Sequence, residues 1–325
     1  MRYPASPARP LVVINQLDAG SLRPPPGVVV HDDAGTRAWQ RCGEAEVLLT
    51  APRNGWRDAP RDKPDGWPGR LRWVHLASAG IDYFPDWLFA VPQVTCARGV
   101  AAAPIAEYVM TALLDQVKAW PTRQVRHALA WRREFDRACA TPIGQLAGQT
   151  LGLVGFGAIG QAIAQRALAF GMQVSALRRT DGALAHPGVA RAASLHGLLA
   201  ASDHVVLALP STPATRHIID AQALQHARPG QHLVNIARGA LIDHGALREA
   251  LDRGPLACAT LDVTEPEPPP HEHWLYSHPR VRLTPHLSWS AGGVSALTLQ
   301  KFDDNLHRYL AGQPLRDVVD PTRGY

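Results

Sequence analysis

The fold is decided by one stretch of the chain, residues 151–167, which reads LGLVGFGAIGQAIAQRA. The apolar run Leu151–Val154 predicts a buried strand, and the alanine-rich run after the glycines predicts a helix. Between the two, Gly155 permits a tight turn, Gly157 lets a pyrophosphate approach the backbone, and Gly160 lets strand and helix pack closely. The N-terminus of that helix offers N–H groups and a partial positive charge to phosphates. We therefore predict a dinucleotide-binding turn; the alternative, a strand-to-helix turn that binds nothing, is disfavoured by the flanking strand and helix.

Strands and helices alternate after this turn. Such alternation predicts parallel strands joined by crossover helices, and therefore an α/β fold with a Rossmann-type nucleotide-binding domain. The predicted strands are Leu151–Val154, Gln173–Leu177, His204–Leu209, Leu233–Ile236, Ala257–Asp262 and Val281–Leu283. The predicted helices are Ala158–Phe170, Ser194–Ala201 and Gly245–Arg253.

The residues before this region predict a second group of strands, each a short run of apolar or β-branched residues. These strands are Leu11–Ile14, Gly27–Val30, Glu46–Thr50, Leu71–Leu76 and Gln93–Cys96. Pro104 begins a helical pattern that runs toward Trp120, and Thr122–Ala138 predicts another helix. A last helix, Ala296–Leu310, follows the nucleotide-binding region and is able to pack back on the first domain. The stretch Ala51–Gly69, rich in proline and glycine, predicts a loop or lid.

Length and composition describe a globular protein of two domains. The chain has 325 residues, of which 46% are hydrophobic and 19% charged, a balance that excludes disorder and fibrous repeats. Its four cysteines lie far apart without a Cys-x-x-Cys pair, so we predict no metal site, no disulfide scaffold and a cytoplasmic location. The net charge of +5 is spread along the chain, which argues against nucleic acid as a partner. No sequence feature predicts a signal peptide or a membrane span.

The strand Gln173–Leu177 is followed by Arg178, Arg179 and Thr180, where NAD-binding sites usually carry Asp or Glu for the ribose 2′-hydroxyl. A guanidinium group pairs with a 2′-phosphate, whereas a carboxylate would repel it. We therefore predict a preference for NADP(H), with NAD(H) still possible. The alternative is a solvated pair of surface arginines, and Asp181 close by keeps the use of NAD(H) open.

Three charged or titratable residues follow later predicted strands: Arg238, Glu267 and His286. In a doubly wound sheet the carboxyl ends of the strands converge on the ligand crevice, so we expect these side chains to meet. Singly, each has a structural explanation: an ion pair for Arg238, a loop acid for Glu267, and a loop or helix cap for His286. Together, behind a dinucleotide motif, they predict a catalytic site.

Reduction of a 2-oxo acid requires these three residue types. A hydride that reaches the carbonyl carbon leaves negative charge on oxygen, which protonated His286 is able to neutralise as a general acid. A carboxylate beside an imidazole orients the ring and favours its charged form. A guanidinium fork clamps the substrate carboxylate and polarises the carbonyl. The expected chemistry is therefore hydride transfer between a nicotinamide cofactor and a small 2-oxo or 2-hydroxy acid.

Six segments resemble the D-isomer-specific 2-hydroxyacid dehydrogenase family, in the family's order and over most of the chain. They are Ala79-Gly80-Ile81-Asp82, Ile105-Ala106-Glu107-Tyr108, Leu146-Ala147-Gly148-Gln149-Thr150, Val234-Asn235-Ile236-Ala237-Arg238-Gly239, Leu261-Asp262-Val263-Thr264-Glu265-Pro266-Glu267-Pro268 and Thr284-Pro285-His286. The resemblance implies a nucleotide-binding domain, residues 104–289, inserted in a flavodoxin-like substrate domain made of residues 1–103 and 290–325. It also implies a homodimer formed through the nucleotide-binding domain.

The resemblance implies site residues as well. Arg238, Glu267 and His286 would form the catalytic triad, with Glu267 preferred to Glu265 because it stands five residues after Asp262, as in the family motif. The predicted nucleotide site comprises Gly155, Gly157, Ala158, Ile159, Gly160, Arg178, Arg179, Leu209, Pro210, Thr215, Ile236, Ala237, Arg238, Asp262 and His286, with Asp262 near the nicotinamide carboxamide. The predicted substrate site comprises Ser78, Ala79, Gly80, Arg238 and Trp289.

Two departures from the family pattern sharpen the expected function. Arg178 replaces the acid common in NAD-using members, which is similar to NADPH-dependent glyoxylate/hydroxypyruvate reductases. The chain ends soon after its last helix, without the regulatory extension of many phosphoglycerate dehydrogenases. We therefore expect a reductase of glyoxylate, hydroxypyruvate or a related 2-oxo acid that forms the D-2-hydroxy acid. The alternatives are a phosphoglycerate dehydrogenase-like enzyme and a nucleotide-sensing interaction protein of the corepressor type.

The choice of substrate depends on aromatic residues that the motifs leave unassigned. Trp56, Tyr83, Trp289 and the loop Ala51–Gly69 are able to line the pocket and favour a bulkier or aromatic substrate. The alternative is that they are packing residues. Trp289 is the strongest candidate, because it lies three residues after His286.

Overall fold

The chain forms two compact units, each built on one parallel sheet. The structure is a computed structural model, which describes residues 9–17, 22–33, 35, 37–179, 184 and 186–324. Unit 1 comprises Met1–Val100 and Ala291–Tyr325, and unit 2 comprises Ala101–Ser290. The predicted α/β fold class is confirmed. The predicted domain boundaries lie within three residues of these divisions, and the assignment of substrate binding to unit 1 stays a prediction.

In the part of unit 1 that the structure describes, the sheet has five parallel strands. They are β1 (Leu11–Asn15), β2 (Val28–Asp32), β3 (Val47–Thr50), β4 (Trp73–Leu76) and β5 (Gln93–Cys96). Their order in the sheet is β2-β1-β3-β4-β5, the order of a flavodoxin-like fold. Among the described residues, the connections contain three short 3-10 helices, Ala38–Gln40, Trp56–Asp58 and Asp86–Ala90.

The C-terminal helix, Val294–Leu310, belongs to unit 1. Its Phe302 is fully buried and stacks on Trp73 of β4, with ring centroids 5.0 Å apart and an interplanar angle of 12°. Leu306, one turn further along, is also buried in this cluster. Burial of two aromatic rings and a leucine stabilises the contact by several kcal/mol, at about 1.5–3 kcal/mol for each large apolar side chain.

The other face of the unit 1 sheet is covered by an aromatic cluster that includes two tryptophans of the loop Ala51–Gly69. Trp56 is only 2% exposed, and its Nε1 donates a hydrogen bond to Thr50 Oγ1 at 2.7 Å. Trp67 is 4% exposed and packs edge-on against Trp87, with centroids 4.9 Å apart. The loop Ala51–Gly69 therefore contributes Trp56 and Trp67 to the hydrophobic core of unit 1, and Trp56 is a packing residue.

Among the described residues, unit 2 has a sheet of seven parallel strands and six α-helices. The strands are β6 (Thr150–Val154), β7 (Gln173–Leu177), β8 (Val189–Arg191), β9 (His204–Leu207), β10 (Gln231–Asn235), β11 (Leu256–Leu261) and β12 (Val281–Leu283). The helices are α1 (Ala102–Lys118), α2 (Ala128–Ala140), α3 (Ala158–Ala169), α4 (Leu195–Ala201), α5 (Ala221–Gln225) and α6 (His244–Asp252). The strand order is β12-β11-β10-β9-β6-β7-β8.

Helices cover both faces of this sheet, as expected for parallel strands that are buried on both sides. Helices α1 and α3 pack on the face that carries Val206 and Val234. Helices α4, α5 and α6 pack on the opposite face, which carries Val205 and Leu233. No helix among the described residues is both long and apolar enough to cross a membrane.

The predicted elements differ from the structure in a few places. The predicted helix start at Thr122 is wrong: Trp120–Thr122 is a separate 3-10 helix, and α2 begins after His127, whose ring accepts the Ala130 N–H. Strand β10 begins before the predicted Leu233, because Gln231 and the next residue are buried polar residues with hydrogen-bond partners. Strand β8 and helix α5 were not predicted.

Candidate active site

Most predicted site residues of unit 2 lie at one edge of its sheet. Because all its strands are parallel, the residues that follow each strand share the carboxyl edge. These residues are Gly155 after β6, Arg178 after β7, Leu209 and Pro210 after β9, Ile236 to Arg238 after β10, Asp262 after β11, and Thr284 to His286 after β12. The strand order reverses between β6 and β9, and doubly wound sheets bind their ligands at such a switch point.

Glu267 and His286 form a hydrogen-bonded pair. His286 Nδ1 lies 2.8 Å from Glu267 Oε1, and the two side chains are 25% and 29% exposed. Burial raises the pKa of Glu267, but the hydrogen bond and charge of His286, together with the charge of Arg238, outweigh it, so the pKa lies below its ordinary value. An ionised carboxylate accepts the Nδ1–H, which fixes the orientation of the imidazole.

Arg238 is held close to this pair by the backbone around it. It follows β10, and its Nη1 donates to the Ala237 carbonyl at 2.7 Å. Asn235 Nδ2 donates to the Arg238 carbonyl at 2.8 Å, which closes the turn. A Cβ on the next residue, Gly239, would lie 2.0 Å from the Thr264 carbonyl carbon. The turn that contains Arg238 therefore packs directly against the loop that leads to Glu267, and this close contact requires glycine at position 239.

The loop that carries His286 is wrapped around Asp262. The Asp262 side chain is 1% exposed, and its carboxylate accepts hydrogen bonds from Thr284 Oγ1 at 2.6 Å and from the N–H groups of Leu287 and Ser288 at 2.9 Å each. The His286 N–H donates to the Asp262 carbonyl at 2.8 Å. In the structure Asp262 thus organises the His286 loop, and its predicted contact with a nicotinamide carboxamide stays a prediction.

The glycine turn fits a dinucleotide. A Cβ at Gly155, which has a φ of +103°, would lie 2.4 Å from the Ala208 carbonyl oxygen, and a Cβ at Gly160 would lie 2.5 Å from the Gly155 carbonyl oxygen. A Cβ at Gly157 would meet nothing within 4 Å. Helix α3 begins at Ala158 without a side-chain cap. Two glycines therefore serve close packing, while the third faces open space in front of a helix N-terminus, as phosphate binding requires.

Arginines surround the end of β7. Arg178 and Arg179 are exposed and follow this strand directly. Arg191 of β8 lies beside Ala176 of β7, and its Nη2 is 3.5 Å from the Arg178 carbonyl oxygen. Thr180 and Asp181 lie outside the described residues. Arg191 was not predicted from the sequence, because a three-residue strand has too few positions to show a pattern.

Other predicted nucleotide-site residues shape the loops after β9 and β10. Thr215 Oγ1 donates to the Pro210 carbonyl at 2.9 Å and accepts the Thr212 N–H at 2.8 Å, which closes the loop after β9. Leu209 is half-buried, and Ile236 is 5% exposed. Ile236 belongs to the buried apolar cluster between the sheet and helices α1 and α3.

The predicted substrate residues belong to different units. Ser78, Ala79 and Gly80 follow β4 in unit 1, where Ser78 Oγ donates to the Gly80 carbonyl at 2.7 Å and Ala79 is exposed. Trp289 belongs to unit 2, is 44% exposed and donates from Nε1 to the His286 carbonyl at 2.8 Å. Tyr83, in unit 1, lines an open groove of 560 Å³ together with Arg57.

A dinucleotide turn beside an Arg–Glu–His constellation defines a nicotinamide-dependent oxidoreductase. Comparison with known proteins agrees. A sequence model of the family "D-isomer specific 2-hydroxyacid dehydrogenase, NAD binding domain" matches residues 108–288. Glyoxylate/hydroxypyruvate reductase A of Serratia proteamaculans is 32% identical over 308 residues, which cover 88% of this chain and 94% of that protein. Glyoxylate reductase of Thermococcus onnurineus is 45% identical over 176 residues, which cover 54% of this chain and 51% of that protein.

A solved structure of similar fold covers nearly the whole chain. It is a D-isomer specific 2-hydroxyacid dehydrogenase from Xanthobacter autotrophicus Py2, in complex with NADPH and MES, with a TM-score of 0.76 and 29% identity. The alignment covers 98% of this chain and 100% of that one. The chain belongs to the D-isomer specific 2-hydroxyacid dehydrogenase family. It is an NAD(P)-dependent oxidoreductase, and the family acts on small 2-hydroxy and 2-oxo acids.

Proposed function

We propose that this protein reduces a small 2-oxo acid, such as glyoxylate or hydroxypyruvate, to the D-2-hydroxy acid with NADPH. The Glu267–His286 pair carries the proposal, because it lies beside Arg238 at the same sheet edge as the glycine turn. The names of the Serratia and Thermococcus relatives support this substrate class. The NADPH bound in the Xanthobacter protein supports the nucleotide.

The proposed roles follow from the chemistry of the groups. A reduced nicotinamide nucleotide, when bound, supplies a hydride for the carbonyl carbon. The carbonyl oxygen then gains negative charge, and His286 donates a proton to it from Nε2, on the side of the ring opposite the Nδ1 that faces Glu267. Glu267 keeps Nδ1–H oriented and compensates the positive charge of the imidazolium.

Substrate binding is assigned to a cation and to a backbone loop. The Arg238 guanidinium would pair with the substrate carboxylate and polarise its carbonyl. By the family resemblance, backbone N–H groups of the loop from Ser78 to Gly80 are also assigned to the substrate carboxylate. Trp289, fixed by its bond to the His286 carbonyl, would contact the remaining part of the substrate.

The preference for NADPH is assigned to the arginines after β7. Arg178 and Arg179 would pair with the 2′-phosphate, and Arg191 adds a third positive charge beside them. A charge-assisted hydrogen bond contributes about 1.5–3 kcal/mol, which corresponds to roughly tenfold or more in affinity. The glycine turn would bind the pyrophosphate, which NAD(H) and NADP(H) share, so it does not discriminate between them.

A substrate panel tests the function. The purified protein is incubated with NADPH or NADH and with glyoxylate, hydroxypyruvate, 3-phosphohydroxypyruvate or phenylpyruvate, and oxidation of the nucleotide is followed. We expect turnover with glyoxylate or hydroxypyruvate, kcat/KM about tenfold higher with NADPH than with NADH, and D-glycerate from hydroxypyruvate by chiral chromatography.

Each part of the proposal has its own contrary outcome. No oxidation with any acid would overturn the activity, and preferred use of 3-phosphohydroxypyruvate would indicate the phosphoglycerate dehydrogenase alternative. Preference for NADH would overturn the nucleotide assignment. In Arg178→Ser the Kd for NADPH should rise about tenfold, while the Kd for NADH serves as the internal control and stays unchanged.

A homodimer through unit 2 is part of the proposal. Helix α2 has 13 residues, of which only Ala130 is buried. Its Leu129, Trp131 and Phe135 are 77%, 65% and 63% exposed. Trp131 and Phe135, about one turn apart, lie on the same side of α2. Large apolar side chains exposed in this way mark an interaction site, and a second copy of this chain is the proposed occupant. Sedimentation equilibrium should give the mass of a dimer, and a monomer at micromolar concentration would contradict it.

A further inference from the structure

Tyr108 reaches from helix α1 to the loop that carries His286. Its hydroxyl oxygen lies 2.7 Å from Thr284 Oγ1, and Thr284 Oγ1 lies 2.6 Å from Asp262 Oδ1. Two consecutive hydrogen bonds thus connect helix α1, the residues after β12 and the residues after β11. Neither hydroxyl has a part in the proposed reaction.

In the series of hydrogen bonds from Tyr108 through Thr284 to Asp262, the donor and the acceptor of each bond are determined. The Asp262 carboxylate only accepts, so the Thr284 hydroxyl donates to it. Because Thr284 has a single hydroxyl hydrogen, its oxygen accepts from Tyr108, and Tyr108 is the outermost donor. Burial raises the pKa of Tyr108, as does the nearby Asp262 charge, and the hydrogen bond to Thr284 offsets only part of this, so the phenol keeps its proton at neutral pH.

The His286 loop needs such support. His286 has a φ of +52°, a left-handed conformation that is uncommon for residues other than glycine and that surrounding contacts must maintain. Residues 284–288 form no helix or strand, and the Asp262 carboxylate accepts two of their backbone N–H groups. A shift of this carboxylate would therefore move the loop and the Nδ1–H that faces Glu267.

We propose that Tyr108 and Thr284 are positioning residues for His286, which hold the Asp262 carboxylate and through it the orientation of the imidazole. The proposal rests on the proposed role of His286 as the proton donor. It assigns a function to Tyr108, which the sequence offered only as part of a resembling segment.

The test combines kinetics with a spectroscopic measurement on the nucleotide-free protein. The variants are Tyr108→Phe, Thr284→Val and Thr284→Ser, and the matched control is Thr111→Val, whose exposed hydroxyl on α1 donates only to the Glu107 carbonyl. We measure kcat and KM for the best 2-oxo acid, the Kd for NADPH by fluorescence, and the tautomer of His286 by imidazole 15N NMR.

We expect kcat to fall about tenfold in Tyr108→Phe and Thr284→Val, since small displacements of a reacting group are costly, while KM and the Kd for NADPH stay within about twofold. In the double variant of Tyr108→Phe and Thr284→Val, kcat should fall little further than in either single variant, because both substitutions interrupt the same series of hydrogen bonds. The Nδ1–H tautomer of His286 should give way to a mixture. Thr284→Ser, which keeps the hydroxyl, and Thr111→Val should resemble the wild type.

A kcat within about twofold of wild type for both variants, with an unchanged His286 tautomer, would overturn the positioning role. If Thr284→Val fails to fold, Tyr108→Phe decides, since it removes one hydroxyl and leaves the other bonds of Asp262 in place. A wild type inactive on every 2-oxo acid would overturn the proposed function, whereas the tautomer measurement would still decide whether Tyr108 and Thr284 hold His286.

Discussion

Two glutamates of one loop have different surroundings. Glu267 accepts a hydrogen bond from His286, whereas Glu265 Oε1 lies 2.8 Å from Arg216 Nη1 and its Oε2 lies 3.9 Å from His217 Nε2. The hydrogen bond from Arg216 lowers the pKa of Glu265. Both carboxylates are therefore ionised at neutral pH, and only their partners distinguish them. Residue type alone could not make this distinction, and the family resemblance selected Glu267 by its spacing from Asp262.

The two glutamates give a matched pair of variants. Glu267→Gln should lower kcat about 100-fold, because the amide keeps the size of the side chain but neither compensates the imidazolium charge nor favours the Nδ1–H tautomer. Glu265→Gln loses an exposed ion pair, which is worth at most about 1 kcal/mol of stability, and should keep kcat within about threefold. Steady-state kinetics on the best 2-oxo acid measures both. Equal losses in the two variants would remove Glu267 from the catalytic set.

Residues whose role depends on contact with a distant part of the chain were the hardest to predict from the sequence. Gly239 could be quoted as part of a motif, but its reason, the close approach to Thr264, appears only in three dimensions. The same is true of Tyr108, which lies 176 positions from Thr284 along the chain. Strand ends can be predicted from hydrophobic patterns, whereas the partner of a side chain at such an end depends on loops that have no pattern.

At the scale of elements, the turn between β6 and α3 shows two uses of glycine. Gly155 and Gly160 bring backbone segments together, because a Cβ at either would lie within 2.5 Å of a carbonyl oxygen. Gly157 has open space before it. The sequence spacing anticipated this division, since the motif prescribes a different role for each glycine.

Alanine substitutions separate the two uses. Gly157→Ala should fold with an unchanged Tm but weaken NADPH binding about tenfold or more, because the added methyl projects into the space proposed for the pyrophosphate. Gly155→Ala should lower the Tm, because its φ is +103° and its Cβ would meet the backbone. Gly43→Ala is the control, since nothing lies within 4 Å of a Cβ there. Thermal melts and fluorescence titration give the readouts, and unimpaired NADPH binding by Gly157→Ala would refute the assigned phosphate position.

Elements with apolar patterns were predictable, and those with buried polar residues were not. The predicted strand Gln173–Leu177 coincides with β7. Strand β10 was predicted too short, because Gln231 is polar by sequence yet 1% exposed. Its Nε2 donates to the carbonyls of Leu199 and Ser202 at 2.7 Å each, which makes its burial possible. Patterns of hydrophobicity cannot reveal a partner that lies 29–32 residues away.

At the scale of the whole molecule, both units bury uncharged histidines. In unit 2, His204 Nε2 donates to Gln149 Oε1 at 2.7 Å, and its Nδ1 accepts from His232 Nδ1–H at 3.3 Å. His232 Nε2 in turn accepts from Thr260 Oγ1 at 2.9 Å. Each ring carries one proton in this arrangement. Burial lowers the pKa of His204 to about 4 and that of His232 well below its ordinary value.

Unit 1 contains a third such residue, His75 of β4. It is fully buried against Phe302, and its Nδ1 lies 2.8 Å from Thr95 Oγ1. Among the described residues its Nε2 has no hydrogen-bond partner. Burial, with a smaller contribution from the charge of Lys301, lowers its pKa to about 3. A buried nitrogen without a hydrogen-bond partner lowers the free energy of unfolding. Protonation of His75 Nε2 would lower it further, because the ring would then carry a buried charge.

Acid should therefore destabilise the protein below pH 6.5, the ordinary pKa of histidine. Between that pH and about 4, the unfolded chain binds protons at His75, His204 and His232 that the folded chain does not bind. The free energy of unfolding then falls as pH decreases, by up to ~1.4 kcal/mol per pH unit for each histidine. Urea unfolding followed by tryptophan fluorescence at pH 7 and pH 5 measures this slope. His75→Phe should reduce it by about one histidine's share, while His307→Gln, an exposed control, should leave it unchanged. Equal slopes in His75→Phe and wild type would contradict this account, because they would show that His75 becomes charged over the same pH range in the folded protein as in the unfolded chain.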